Sequence, residues 1–232
     1  MRDLLELSGP IHKPASGRKP KQLVVLLHGY GSDGNDLIGL APHWASLLPE
    51  AEFIAPNAPF PCEMAPFGHQ WFSLADDSQA ARLAGVRAAA TLLDSYIDAA
   101  LAARGLDDKA MALVGFSQGT MMSLYVAPRR QVAPAAVVGY SGALIGPQEL
   151  AKEIRSRPPV LLIHGDADTV VPHSELGWAE KALRELGVPV TVETRPRLAH
   201  SIDERGLMLG GRFLVRAFAT NAALGESESR AP

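Results

Sequence analysis

Short apolar runs alternating with helix-like stretches constrain this chain more than any other feature of its sequence. "QLVVLLH" (22–28), "AEFIAP" (51–56), "MALVG" (111–115), "AAVVGYS" (135–141), "VLLIHG" (160–165) and "VPVTVET" (188–194) each read as a strand. Most are separated by stretches of helical spacing, near 34–48, 79–104, 117–127, 147–156, 173–187 and 203–219. The longest places Leu83, Val86, Ala90, Leu93, Ile97 and Leu101 on one face, and Gly105 marks its stop. This alternation predicts an α/β architecture, a mainly parallel central sheet with helices on both faces. Ligands of such sheets bind beyond the carboxyl ends of the strands. The residues just after each strand are therefore the ones to read for chemistry.

The 232 residues, 47% of them hydrophobic, suffice for one domain over 1–232 with a full core. The strands and helices consume nearly all of 22–219, which leaves no insert large enough for a separate cap domain. Residues 1–21 are expected to form an N-terminal arm, rich in Pro, Lys, Ser and Gly from 9 onward. Residues 221–232, ending in the polar "GESESRAP", are expected to form a flexible tail. The formal charge of -3, with acids and bases interspersed, argues against a nucleic-acid partner or a polybasic membrane surface. No apolar run approaches the roughly 18 residues of a membrane span, and the N-terminus has no apolar signal core. Neither integral membrane association nor a signal peptide is expected. Cys62 is the single cysteine, so no internal disulfide can form, and the composition suits the cytoplasm.

The stretch "ALVGFSQGTMM" (112–122) sets Ser117 between two glycines at a strand-to-helix junction. A G-x-S-x-G string arises by chance in about one chain in eight of this length. Context carries the signal instead. At a sharp strand-to-helix turn, residues two positions either side of the serine pack where a side chain would collide, which accounts for Gly115 and Gly119. Such a turn pushes the hydroxyl outward, and the amide of Gln118, at a helix N-terminus, suits a developing oxyanion. Ser117 reads either as a nucleophile or as a serine N-cap with glycines for packing.

Other strand ends offer partners. "VLLIHG" runs into "DADTVVP", which delivers Asp166 and Asp168, and either acid could orient a histidine. The next strand leads to "RPRLAHSIDE" and His200. The chain order Ser, Asp, His is the one expected when this chemistry is built on an α/β-hydrolase sheet. After His28 the glycine-rich "HGYGSDG" could supply a second oxyanion donor. His28 itself reads as a structural hydrogen-bonder, and His164 as a satisfied core histidine. Cys62 reads as a small apolar residue. "HGDAD" lacks the closely spaced histidines of a metal site, so neither a metal nor any other cofactor is expected.

"LLHGYGSDGND", "QWFSL", "GFSQGT", "YSGAL", "HGDADTVVP" and "AHSI", in this order across nearly the whole chain, resemble the phospholipase/carboxylesterase family of α/β hydrolases, which includes acyl-protein thioesterases. The resemblance implies the α/β-hydrolase fold, Ser117 as nucleophile, Asp168 as acid and His200 as base. It also implies the backbone amides of Tyr30 and Gln118 as an oxyanion hole, and it allows a homodimer. Two places depart from the family. The position after "WF", often acidic in the thioesterases, is Ser73, which counts against protein depalmitoylation, and the 58–70 segment is the chain's own. Asp166 is left to tie down its loop through backbone amides.

The function expected is hydrolysis of short to medium acyl or aryl carboxylic esters through an acyl-enzyme. The runner-up is a lysophospholipase or acyl-protein thioesterase. A non-catalytic binding module on the same fold is the reading outside enzymology. The expected partner is a small-molecule ester or thioester, held against an apolar wall drawn from 55–74, with Met64, Trp71 and Phe72 as substrate-binding residues.

Overall fold

A computed structural model describes residues 7–229. In chain order it contains β1 (Ile11–His12), β2 (Gln22–Leu27), α1 (Gly34–Leu37), α2 (Ala41–Ala45), β3 (Ala51–Ile54), β4 (Phe60–Pro61), β5 (His69–Gln70) and α3 (Gln79–Arg104). It continues with β6 (Met111–Phe116), α4 (Gln118–Val126), β7 (Ala136–Tyr140), α5 (Pro147–Glu153), β8 (Val160–Gly165), α6 (Ser174–Glu185), β9 (Val190–Arg195) and α7 (Glu204–Ser229). The seven-stranded sheet runs β1-β3-β2-β6-β7-β8-β9. All neighbours are parallel except β1, which joins β3 antiparallel at the edge.

Strands buried on both faces read as unbroken apolar runs, and alternate residues in them serve opposite cores. Leu23, Val25 and Leu27 of β2 join Met111 and Leu113 of β6 on one face, under Val86, Leu93 and Ile97 of α3 and Met122 of α4. Val24 and Leu26 join Ala112 and Val114 on the other, under Trp44 of α2 and Leu214 and Phe218 of α7. The sheet is thus the middle of three layers. The α3 stripe expected from spacing is buried apart from half-buried Leu83. The helix starts where the Ser78 side chain caps the Ala81 amide at 3.2 Å and stops at Gly105, φ 66°.

One local expectation needs correction, and both ends of the chain can be placed. The 34–48 helix is broken into α1, a 3-10 turn at Ile38–Leu40 and α2, whose first turn carries Pro42. The N-terminal arm is pinned: Ile11 and His12 pair with Ile54 and Phe53, and Ser16 donates its amide to Pro49 O at 2.8 Å. The last helix continues through 220–229, into the segment expected to be a flexible tail; 230–232 lie outside the described residues.

The order of the strands fixes where a site can form. From β2 the chain moves outward to β3 and then crosses back to β6, so the crevice past β2 and β6 is a topological switch point. The loops that carry Tyr30 and Ser117 leave the sheet there.

Candidate active site

Ser117 occupies the turn between β6 and α4 with φ 54° and ψ -117°. A non-glycine residue in this region is strained and persists only where its surroundings over-determine it. Here the Ser117 amide donates to Tyr140 O at 2.9 Å, prolonging the β6–β7 ladder, while its carbonyl accepts the amides of Thr120 and Met121. The side chain makes no cap bond to α4, which removes the N-cap reading.

The flanking glycines are steric necessities. A Cβ on Gly115 would lie 2.3 Å from the Gly119 carbonyl, and one on Gly119 would lie 1.7 Å from the Leu27 carbonyl oxygen. Both obstructions are backbone and cannot swing aside. Gly119→Ala is expected to destabilise the protein by more than about 3 kcal/mol, read as a Tm lower by at least about 6 °C.

Past β8, Asp168 is buried, its side chain shielded from solvent. Its Oδ1 accepts the amides of Val170 and Val171 at 2.9 Å each, and its Oδ2 lies 2.7 Å from Nδ1 of His200. Burial pushes this carboxyl up, but His200 and the two amides outweigh burial and hold it below the usual aspartate range. A third group sits on the acid. His164 Nε2 is 2.9 Å from Val171 O and 3.2 Å from Asp168 Oδ2. A carbonyl only accepts, so Nε2 carries the hydrogen, and burial lowers the His164 pKa, favouring the neutral ring. Asp166 faces elsewhere: its Oδ1 accepts the Arg197 amide at 2.6 Å, fixing the turn before His200, as expected from sequence.

His200 also packs on Phe116, ring centroids 4.8 Å apart, and it shares with Ser117 the wall of a cavity of about 320 Å³. Among the described residues no hydrogen bond joins the Ser117 hydroxyl to His200. Such contacts are often long without substrate. Tyr30 and Gln118 line the same cavity, and Gln118, as first residue of α4, has an amide that its own helix cannot satisfy.

The floor beneath is a hydrogen-bonded frame. His28 is fully buried; its Nδ1 donates to Gly29 O at 2.7 Å while its Nε2 accepts the Ala58 amide at 2.9 Å. The Gln118 side chain accepts the Trp71 amide at 3.0 Å and donates to Phe72 O at 2.9 Å, locking the 71–72 segment to the turn of Ser117.

The expected apolar wall needs correction. Trp71 is fully buried in the core, with its indole N–H donated to His28 O at 3.0 Å, so it does not reach the cavity. Met64 is 80% exposed on the far part of the 58–70 loop and does not line it either. Of the three substrate-binding candidates only Phe72 faces the space; Leu74, Phe116, Met121, Val171 and Pro172 complete the apolar surface. Phe116 could have been found as the residue next to Ser117; the others carry no sequence signal. Trp71→Ala is accordingly expected to cost about 3–5 kcal/mol of stability, seen in denaturant titration, rather than to retune substrate preference.

Ser73 meets an acid from the loop. Glu63 accepts the Ser73 hydroxyl at 2.8 and 2.9 Å and the Leu74 amide at 2.8 Å. The Leu74 amide, the Ser73 hydroxyl and Gln70 hold its carboxyl below the usual range.

A hydroxyl on a strained turn, an imidazole on a buried carboxylate and a helix-end amide around one cavity are the components of nucleophilic acyl transfer. Among the described residues no helix is long and apolar enough to cross a membrane. Residues 13–216 match the model of the phospholipase/carboxylesterase family. Esterase YpfH of Escherichia coli (strain K12) is 30% identical over 191 residues, 81% of this chain and 79% of the relative. An acyl-protein thioesterase 1 of Emericella nidulans is 28% identical over 206 residues, 80% of this chain and 86% of the relative. The crystal structure of esterase PE8 superposes with a TM-score of 0.88 at 43% identity, covering 91% of this chain and 99% of that one. The chain belongs to the phospholipase/carboxylesterase family of α/β hydrolases and is an ester hydrolase of that family.

Proposed function

We propose that the protein is a cytoplasmic serine carboxylesterase that hydrolyses short to medium acyl or aryl esters through an acyl-enzyme. Ser117 attacks the scissile carbonyl while neutral His200 accepts its proton at Nε2. Asp168 accepts the Nδ1 hydrogen, which fixes the tautomer and stabilises the imidazolium. The amides of Tyr30 and Gln118 hold the oxyanion, each donor worth about 3 kcal/mol. The imidazolium then protonates the leaving alcohol, and water repeats the cycle to release the acid and free Ser117.

The observation that carries this reading is the combination of a strained, uncapped Ser117 with a 2.7 Å His200–Asp168 contact on the wall of one cavity. A panel of p-nitrophenyl butyrate, butyryl-CoA, a lysophospholipid and a triglyceride emulsion tests it. The expected order of kcat/KM puts the soluble butyrate ester above the lysophospholipid and the emulsion last. A clear preference for lysophospholipid, or a need for an interface, would sink the carboxylesterase reading and favour the phospholipase one.

A further inference from the structure

A second cavity of about 540 Å³ adjoins the one beside Ser117. Arg82, Ala143 and Glu175 line both and mark where the two meet. Arg82, projecting from α3 into this junction, has a buried Nε–H without a partner. Among the described residues its guanidinium makes no side-chain hydrogen bond and no ion pair within 4.0 Å. Arg87, Arg104, Arg129 and Arg130 each engage a carboxylate. The unpaired Nε–H is itself shut off from solvent, but the side chain lines both cavities, where a guanidinium without a partner can take a hydrogen-bond acceptor that the substrate brings.

The charges around Arg82 narrow what that acceptor is. Glu175 lines the same junction; burial holds its carboxyl above the usual range, and the Arg82 charge offsets only part of that rise. Glu149 lies further along the second compartment. Asp36, on the first, already accepts the Ser32 hydroxyl at 2.6 Å. A substrate anion would gain from Arg82 and lose to Glu175 and Glu149, and a cation would do the reverse. A neutral group that accepts at one end and donates at the other gains from both. The secondary amide is the common group with that character. Beyond the junction Leu83, Leu144, Ile145 and Trp178 offer apolar surface for a short carbon tail.

We propose that Arg82 and Glu175 form a specificity-determining subsite for an amide in the substrate, its carbonyl on Arg82 and its N–H on Glu175. The proposal rests on the esterase reading above. It makes N-acylated amino-acid esters, or thioesters with an amide in the leaving group, the preferred class over plain alkyl esters.

Two isosteric pairs test it. On the acyl side, the p-nitrophenyl ester of N-acetylglycine is compared with p-nitrophenyl pentanoate; on the leaving side, S-butyryl-N-acetylcysteamine with S-pentyl thiobutyrate. The p-nitrophenyl hemisuccinate ester serves as the anionic probe. The quantity read is the amide-to-alkyl ratio of kcat/KM in a variant divided by the same ratio in the wild type, which cancels intrinsic reactivity. For at least one pair, Arg82→Gln is expected to lower the ratio about tenfold or more, and Arg82→Lys, which keeps the charge, to lower it less. Ratios unmoved by Arg82→Gln in both pairs would overturn the subsite, as would a wild-type preference for the hemisuccinate over the N-acetylglycine ester. If p-nitrophenyl pentanoate itself is not hydrolysed, the esterase reading fails and the subsite falls with it.

Discussion

Ser117→Ala is expected to lower turnover of p-nitrophenyl butyrate by about 10⁴-fold or more, with Tm within a few degrees of the parent. The loss is large because the hydroxyl is the atom that attacks, and no other side chain on the strained turn can replace it. The fold is spared because the side chain caps nothing, while the bonds that hold the turn run through the Ser117 backbone. Alanine keeps those bonds and meets the same steric demand at φ 54° as serine does. Ser141, whose buried hydroxyl has no partner among the described residues and whose φ is 47°, is the natural control. Ser141→Ala should retain most of the activity, and a collapse there with Ser117→Ala active would move the nucleophile.

Asp168→Asn is expected to lower kcat by about 10⁴-fold with little change in KM. The direction follows from the acceptor pattern. The amides of Val170 and Val171 will keep the oxygen of the substituted carboxamide on the Oδ1 side, which turns its NH2 toward His200 Nδ1. Nδ1 must then accept, the hydrogen moves to Nε2, and the ring can no longer take a proton from Ser117. Asp166→Asn, which keeps the oxygen that accepts the Arg197 amide, should cost less than about tenfold. Reversed outcomes would exchange the roles of the two acids. The same substitution changes the acid limb of stability. Because the folded Asp168 pKa is depressed, its carboxylate contributes stability that is complete above the unfolded value near 4 and is lost as pH falls through the lower folded value. Asp168→Asn should remove that contribution, so its Tm falls less steeply than the parent's over that range.

Most of the sheet was legible because its parallel strands are buried on both faces and appear as continuous apolar runs. β1, β4 and β5 were not, since a two-residue strand is too short to show any period. Spacing also overstated the helix after β2, where Gly39 and Pro42 interrupt a pattern that the apolar residues made look continuous. Ser117, Asp166, Asp168 and His200 could be singled out because each follows a strand at the end where a parallel sheet presents its loops, and the choice of Asp168 over Asp166 came from the family resemblance. The cavity wall was harder. Trp71 and Phe72 are neighbours in sequence and equally apolar, yet one donates its indole N–H to a buried carbonyl and the other faces the cavity. That choice is made by His28, Gln118 and the turn of Ser117, and nothing local to "QWFSL" encodes it. Arg82 was invisible for a related reason: a cation on a helix reads as a solvated face until the fold shows it without a partner beside a cavity.

The most direct measurement is covalent labelling of the full-length protein with a serine-directed fluorophosphonate, mapped by peptide mass spectrometry while esterase activity is followed in the same sample. The expected result is one adduct per chain, on Ser117, forming in step with the loss of activity and absent from Ser117→Ala. An inactivated protein with its adduct on Ser141 or another serine, or a protein that hydrolyses p-nitrophenyl butyrate at full rate while Ser117 carries the label, would contradict it.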